Sequence, residues 1–354
     1  MKKLIIVSDV HLARSWDHVS SILPKDINFC NPNTWFKRVV GRIKDNQKLI
    51  INGDIVDYYY ADYDNETEEN TNWDLFSQLI KDCKGDIHCN LGNHDYRKSP
   101  YNYSIFPLTF WNVSRKQQRL YRKAIGNYKF RWLKEFRSVA VDTYKFNSLA
   151  HYPDKNNYTV VNGSQKLIFL DTGPDLMSNT RYWKNPFVLP YAFTMVWSRG
   201  LLDEQILYLQ KSLDDSTCTE VVVFVHCPPF SFFRNRKKFK LRQSTTGFLC
   251  DGNLVYKRFV INNNAFMDTL LGSSKNIILV ASHTHQSKNY LIGKKTLLVE
   301  DVSMGEINNH RSDQNYIKML ITYPLGAISH PDKKVGTLEI TSKNIVNKVL
   351  WKYQ

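Results

Sequence analysis

No run in the 354-residue chain approaches the ~18 consecutive apolar residues that a membrane-spanning helix needs. Mean hydropathy is −0.42. The first apolar stretch, Leu4-Ile5-Ile6-Val7, is shorter than the ~7–15 residues of a secretory-signal core, and it reads as a buried strand. Cysteine is scarce: six residues, at 30, 83, 89, 218, 227 and 250. No two form C-x-x-C, which excludes a zinc knuckle or a redox pair of that kind. A chain of this size does not need a disulfide framework, so a reducing cytoplasm is the expected location. No G-x-x-x-x-G-K-[ST] loop is present, so nothing supports an ATP-driven activity. No internal repeat and no long linker interrupts the chain.

Acidic residues are also in deficit. The 48 Lys+Arg against 33 Asp+Glu give a formal net charge of +15. The excess is local. Between Arg97 and Lys145 stand twelve basic residues against Glu135 and Asp142, and Arg234 to Arg242 form a second basic run. Both are interleaved with Tyr, Phe and Trp, a mixture that suits a polyanion, since phosphates are neutralised and bases can stack. A solvated, lysine-biased surface is the plainer alternative.

Hydrophobic residues make up 42% of the chain, enough for a sizeable core. Short β-branched runs alternate with helical spacing. Strands are expected at Lys3–Val7, Lys48–Ile51, Ile87–Leu91, Val221–Val225 and Asn276–Ala281, with helices over Trp35–Ile43, about Leu75–Ile80 and Gly200–Leu213. Asn162-Gly163 between β-formers predicts a hairpin running into Lys166–Leu170. Continuous apolar strands alternating with helices indicate an α/β fold with a parallel or mixed sheet covered on both faces. In such sheets ligands bind in loops at the carboxyl ends of the strands.

Polar clusters stand at those ends. They are Asp9-x-His11, Gly53-Asp54-x-x-Asp57, Gly92-Asn93-His94-Asp95, His226 and His283-x-His285. Carboxylate and amide oxygens converging with imidazoles suit divalent transition metals. Two cations about 3.5–4 Å apart can clamp a phosphate and activate water for in-line attack.

The ordered set resembles the calcineurin-like metallophosphoesterase superfamily, whose blocks are D-x-H, G-D-x-x-D, G-N-H-[DE], a lone His and G-H-x-H. All five occur in order over about residues 4–285, with one departure: Ser282 stands where the family usually has Gly. The resemblance implies a four-layer αββα sandwich with two central mixed β-sheets and inserted cap segments. It reads as one domain over 1–354, with insertions at about 97–157, 230–258 and 303–332 that shape the cleft mouth. It implies two divalent metal ions, Mn²⁺ first and Fe or Zn as alternatives. Asp9, His11 and His285 would hold one ion and Asn93, His226 and His283 the other, with Asp54 bridging. His94 would be the catalytic imidazole, oriented by Asp57.

The expected activity is metal-dependent phosphoester hydrolysis, by metal-hydroxide attack on phosphorus with His94 assisting. The basic segments favour a phosphodiesterase acting on a nucleotide or nucleic acid. A phosphomonoesterase or phosphoprotein phosphatase is one alternative, and an inert nucleic-acid or protein binding module is the other. No membrane span is expected, and the oligomeric state is left open.

Overall fold

The computed structural model describes residues 1–22, 30–58, 71–96, 157–173, 198–214, 218–230, 238–244, 247–250, 259–326 and 334–352. Among these, a five-stranded sheet has the order β16-β15-β1-β2-β3. Its strands are β1 (Lys3–Val7), β2 (Gln47–Asn52), β3 (Asp86–Asn90), β15 (Lys334–Ile340) and β16 (Ile345–Lys352). β1, β2 and β3 run parallel, and β15 pairs antiparallel with β1.

A nine-stranded sheet has the order β4-β5-β7-β11-β14-β12-β13-β8-β9. It comprises β4 (Asn157–Asn162), β5 (Gln165–Leu170), β7 (Glu220–Val225), β8 (Lys238–Ser244), β9 (Gly247–Cys250), β11 (Asn276–Ala281), β12 (Lys288–Gly293), β13 (Leu298–Asp301) and β14 (Tyr316–Ile321). β5, β7, β11 and β14 are parallel, and β4 and β12 are antiparallel to their neighbours. Two short strands, β6 (Ser198–Gly200) and β10 (Phe259–Ile261), pair with each other.

Strand alternation stacks the layers. Leu167, Phe169, Val222, Phe224, Ile278 and Val280 pack with the five-stranded sheet and with α2 (Pro32–Val40) and α3 (Asn72–Ile80). Their sequence neighbours Ile168, Leu170, Val221, Val223, Val225, Ile277 and Leu279 pack on the other side, against α4 (Asp203–Asp214) and α5 (Asn263–Gly272). A period of two therefore divides one sheet between two cores. Each fully buried Val, Leu or Phe contributes about 1.5–3 kcal/mol. The product is a sandwich of two mixed sheets between helices.

The helix starts are written locally. Asn31 caps α2 by accepting from Asn33 N at 2.9 Å, and Pro32 opens the helix. Gly41 ends it, so α2 starts and stops about three residues before the predicted Trp35–Ile43. Thr71 and Asp74 form a capping box on α3. The hairpin turns at Gly163, where φ is +66°.

Two predicted insertions contain sheet strands. The 230–258 span supplies β8 and β9, which extend the edge of the large sheet. The span near 303–332, expected as an insertion, holds α6 (Met304–Asn309) and then β14, at the centre of the nine-stranded sheet. Lysine is rarely fully buried. Lys318 is, and it hides this strand from a hydrophobic scan. The sequence also predicts a helix over about Lys116–Phe136; it and most of the 97–157 insertion lie outside the described residues.

Candidate metal centre

Loops leaving the carboxyl ends of β1, β2 and β3 deliver Asp9 and His11, Asp54 and Asp57, and Asn93 and His94. Loops leaving β7 and β11 deliver His226, and His283 and His285. Three strands of one sheet and two of the other therefore meet at one polar cluster. All nine predicted site residues lie in it.

The donors fall into three sets, within each of which the ligand atoms lie inside 4.8 Å of one another. The sets are Asp9, His11, Asp54 and His285; Asp54, His226 and His283; and His11, Asp57 and His94. Asn93 joins the second through its Oδ1, 3.1 Å from His226 Nε2. Asp54 belongs to two sets. Its Oδ2 is buried, accepts no hydrogen bond, and lies 3.2 Å from His226 Nε2, 3.7 Å from His11 Nε2 and 4.0 Å from His94 Nε2. Both ring nitrogens of His11 are also buried and make no well-aligned hydrogen bond, with Nδ1 3.3 Å from Asp57 Oδ1. Buried polar atoms normally find partners. Oxygen and imidazole donors left over and facing one another fit divalent cations.

The backbone supports this crowding with strain. Seven described non-glycine residues have positive φ, and five are Asp9, His11, Asp54, His283 and His285, at +46° to +65°. Such angles cost of order 1–3 kcal/mol each and collect at functional sites. Glycines make the close approaches. A Cβ at Gly53 would overlap the His226 ring, and one at Gly92 would overlap Asp54. Backbone bonds tie the loops together: Asp9 N to Gly53 O at 3.1 Å, His11 N to Asp54 O at 2.9 Å and Ser282 N to His226 O at 2.9 Å.

Charge is concentrated here. Burial alone would raise the carboxyl pKa values. For Asp9 the hydrogen bond and charge of His285 overcome burial, and for Asp57 His11 and His94 do so, leaving both below the usual carboxylate range. Asp54 is held well below it by His226, His94 and His11 against the same penalty. In return, burial opposes but Asp54 prevails in lifting His226 to about 9.

His94 sits at the rim. Its Nδ1 is 2.7 Å from Asp57 Oδ1 and 3.2 Å from Asp57 O. A carbonyl oxygen only accepts, so Nδ1 carries the hydrogen and Nε2 faces Asp54. The His94 side chain is 15% exposed and His285 20%, against 0% for His226 and 1% for Asp54. The cluster is therefore open on the His94–His285 side.

Asp95 turns out to be a clamp. Its Oδ1 accepts from Ile55 N and Val56 N, and its Oδ2 from Gly92 N, joining the two loops that carry Asp54 and Asn93. Burial and the neighbouring Asp54 raise its pKa to about 7. Tyr58 is buried, its hydroxyl 2.7 Å from Ser15 Oγ. His88 is buried beside Lys48 and Phe169, and His310 lies near Asp313, both away from the cluster. Tyr59, Tyr60, Arg97, Lys98, His151 and His330 lie outside the described residues, and the side chain of His18 is not described.

Sequence reasoning missed the supports. Asn52 Nδ2 donates to Val225 O at 2.9 Å, and Asn90 Nδ2 donates to Asn52 Oδ1 at 3.2 Å and Leu170 O at 3.1 Å, pinning the two sheets together beneath the site. Ser8 Oγ donates to Asp9 Oδ2 at 2.8 Å and lies 2.6 Å from Thr322 Oγ1. Tyr96 OH donates to Asp171 Oδ2. The available signal was an Asn ending a β-branched strand next to a motif.

The family model described as calcineurin-like phosphoesterase matches residues 2–287. The chain belongs to this family. It is accordingly a metal-dependent phosphoester hydrolase of a dimetal family, and its described residues hold a candidate metal-binding cluster. A search of curated proteins finds no match. Among solved structures, the chain is similar to a dimetal phosphatase from Danio rerio, with 13% identity, 98% of this chain and 95% of that chain covered, and a TM-score of 0.49. It is also similar to the calcineurin-like phosphoesterase YfkN from Bacillus subtilis, with 11% identity, coverage of 99% and 90%, and a TM-score of 0.40. A metallophosphoesterase from Sphaerobacter thermophilus gives 11% identity, coverage of 99% and 89%, and a TM-score of 0.36.

Proposed function

We propose that the chain is a binuclear-metal phosphodiesterase acting on a nucleotide or nucleic acid. The observation that carries the metal reading is Asp54 Oδ2, buried, without a donor and shared by two donor sets. Asp9, His11 and His285 would hold one cation, Asn93, His226 and His283 the other, with Asp54 common to both. When bound, the pair supplies positive charge to the phosphoryl oxygens and makes a coordinated water more acidic.

The chain's own groups do the rest. Asp57 accepts from Nδ1 of His94 and fixes the ring with Nε2 toward Asp54. The Asp57 carboxylate stabilises the imidazolium, whose Nε2–H gives its proton to the departing oxygen. Ser8 holds the Asp9 carboxylate, and the His94 backbone N–H donates to Asp54 Oδ1 at 2.8 Å. The two carboxylates are thus fixed before substrate arrives.

The narrower substrate reading is supported by charge. A net +15, concentrated in aromatic basic segments, attracts polyphosphate or phosphodiester anions.

Hydrolysis of bis(p-nitrophenyl) phosphate and p-nitrophenyl phosphate tests both levels, with Mn²⁺, with chelator, and with Asp54→Ala and His94→Ala. The expected outcome is diester preference, abolished by chelator and lost in both variants. Preference for the monoester replaces the reading with a phosphomonoesterase. Nucleic-acid binding that survives chelation, with no turnover of either ester, replaces it with a binding module.

A further inference from the structure

We propose that Ser282 is a positioning residue that sets the affinity of the His226 side of the metal centre. The inference rests on the reading of His226 as a ligand. Ser282 occupies the position where the family usually has Gly and no side chain is available. Here the hydroxyl is fully buried and stands at a junction. Its Oγ lies 3.0 Å from His226 Nδ1, donates to Asn52 O at 2.8 Å, and accepts from Asn52 Nδ2 at 3.4 Å.

The geometry assigns the protons. His226 Nδ1 is also 3.0 Å from Asn52 O, a carbonyl that can only accept. Nδ1 therefore carries the hydrogen and shares it between Asn52 O and Ser282 Oγ. Nε2 is the other ring nitrogen, 3.1 Å from Asn93 Oδ1 and 3.2 Å from Asp54 Oδ2, and it is the one that would ligate a cation. Gly53 backs the ring closely enough that a Cβ there would overlap it. Without Oγ, one carbonyl alone would hold the ring edge. With it, the ring is tied at once to the ends of β2, β7 and β11, from both sheets. Partners of this kind, one bond behind a ligand, change metal affinity by roughly 10–100-fold when removed.

The test is metal binding by the metal-free protein, read by calorimetry with Mn²⁺ and by metal content after gel filtration. Wild type, Ser282→Ala, Ser282→Gly and Asp54→Ala are compared. Gly is the residue the family usually carries there, so it keeps the backbone allowed if Ala perturbs folding. Wild type is expected to bind two equivalents. Both Ser282 variants should bind one equivalent as wild type does and the other about tenfold more weakly, with the metal-free melting temperature unchanged. Two unchanged affinities in the variants overturn the role of Ser282 while leaving the metal centre intact. Both affinities falling together with the melting temperature also overturn it, showing a general packing role. A wild type that binds no metal, like Asp54→Ala, overturns the ligand reading itself and the proposal with it.

Discussion

At the amino ends of β5, β7, β11 and β14, Gln165, Glu220, Asn276 and Lys318, joined by Arg311, form a polar network inside the molecule. At the carboxyl ends of β1, β2, β3, β7 and β11, a second network surrounds Asp54. The first is nearly saturated. Glu220 accepts from Gln165, from Arg311 at 3.2 Å and from Asn276 at 3.1 Å. Lys318 donates to Asn276 Oδ1 at 2.6 Å, to Tyr316 O at 3.2 Å and to Asp313 O. Only Arg311 Nη1 is left over there. The second leaves both His11 nitrogens and Asp54 Oδ2 unbonded and holds five non-glycine residues at positive φ. Burial of charge does not distinguish the two ends. Unmet hydrogen-bonding capacity combined with backbone strain does, because a fold tolerates both only where something else completes the site.

The largest expected effect that would break this contrast is at Asp54. Asp54→Asn should lower kcat by at least about 10³-fold while the protein keeps a cooperative thermal transition. A variant within tenfold of wild type would mean that the unbonded oxygen has no chemical use. At the opposite end the balance should reverse. Glu220→Ala leaves Arg311 facing no carboxylate and should destabilise by about 3 kcal/mol in urea unfolding, with kcat/KM unchanged well below the transition. A drop in kcat/KM without loss of stability would erase the contrast.

The smallest effect is a pH dependence. Burial pushes the Lys318 ammonium down to about 8 from the usual 10.5, against the charge of Asp313. Between those values the unfolded chain binds more protons than the folded one. Wild-type stability should therefore rise from pH 8 to 10.5 relative to Lys318→Met. Parallel curves for the two proteins would show that Lys318 stays charged in the fold.

Motifs and strands were legible because both are written in short sequence windows. Leu4 to Val7, Val221 to Val225 and Asn276 to Ala281 are continuous apolar runs, and each delivers its chemistry within a few residues of its end. The α2 boundary was displaced because Asn31 and Pro32 start the helix before its apolar face begins. β14 was missed because Lys318 is satisfied by partners distant in sequence, such as Asn276. Ser8, Asn52 and Asn90 stand beside the motifs without belonging to them, and their roles exist only across strands.

The sequence by itself determined which residues are chemically able to form the centre, their order and their placement at strand ends, because periodicity and turn chemistry act locally. Only the tertiary structure decided that three of those ends belong to one sheet and two to the other. It alone decided that Asn52, Asn90 and Ser282 pin the sheets together beneath the site, and that Asp54 stands where the donor sets overlap. Those relations depend on the packing of two sheets face to face, which brings together atoms up to 314 residues apart.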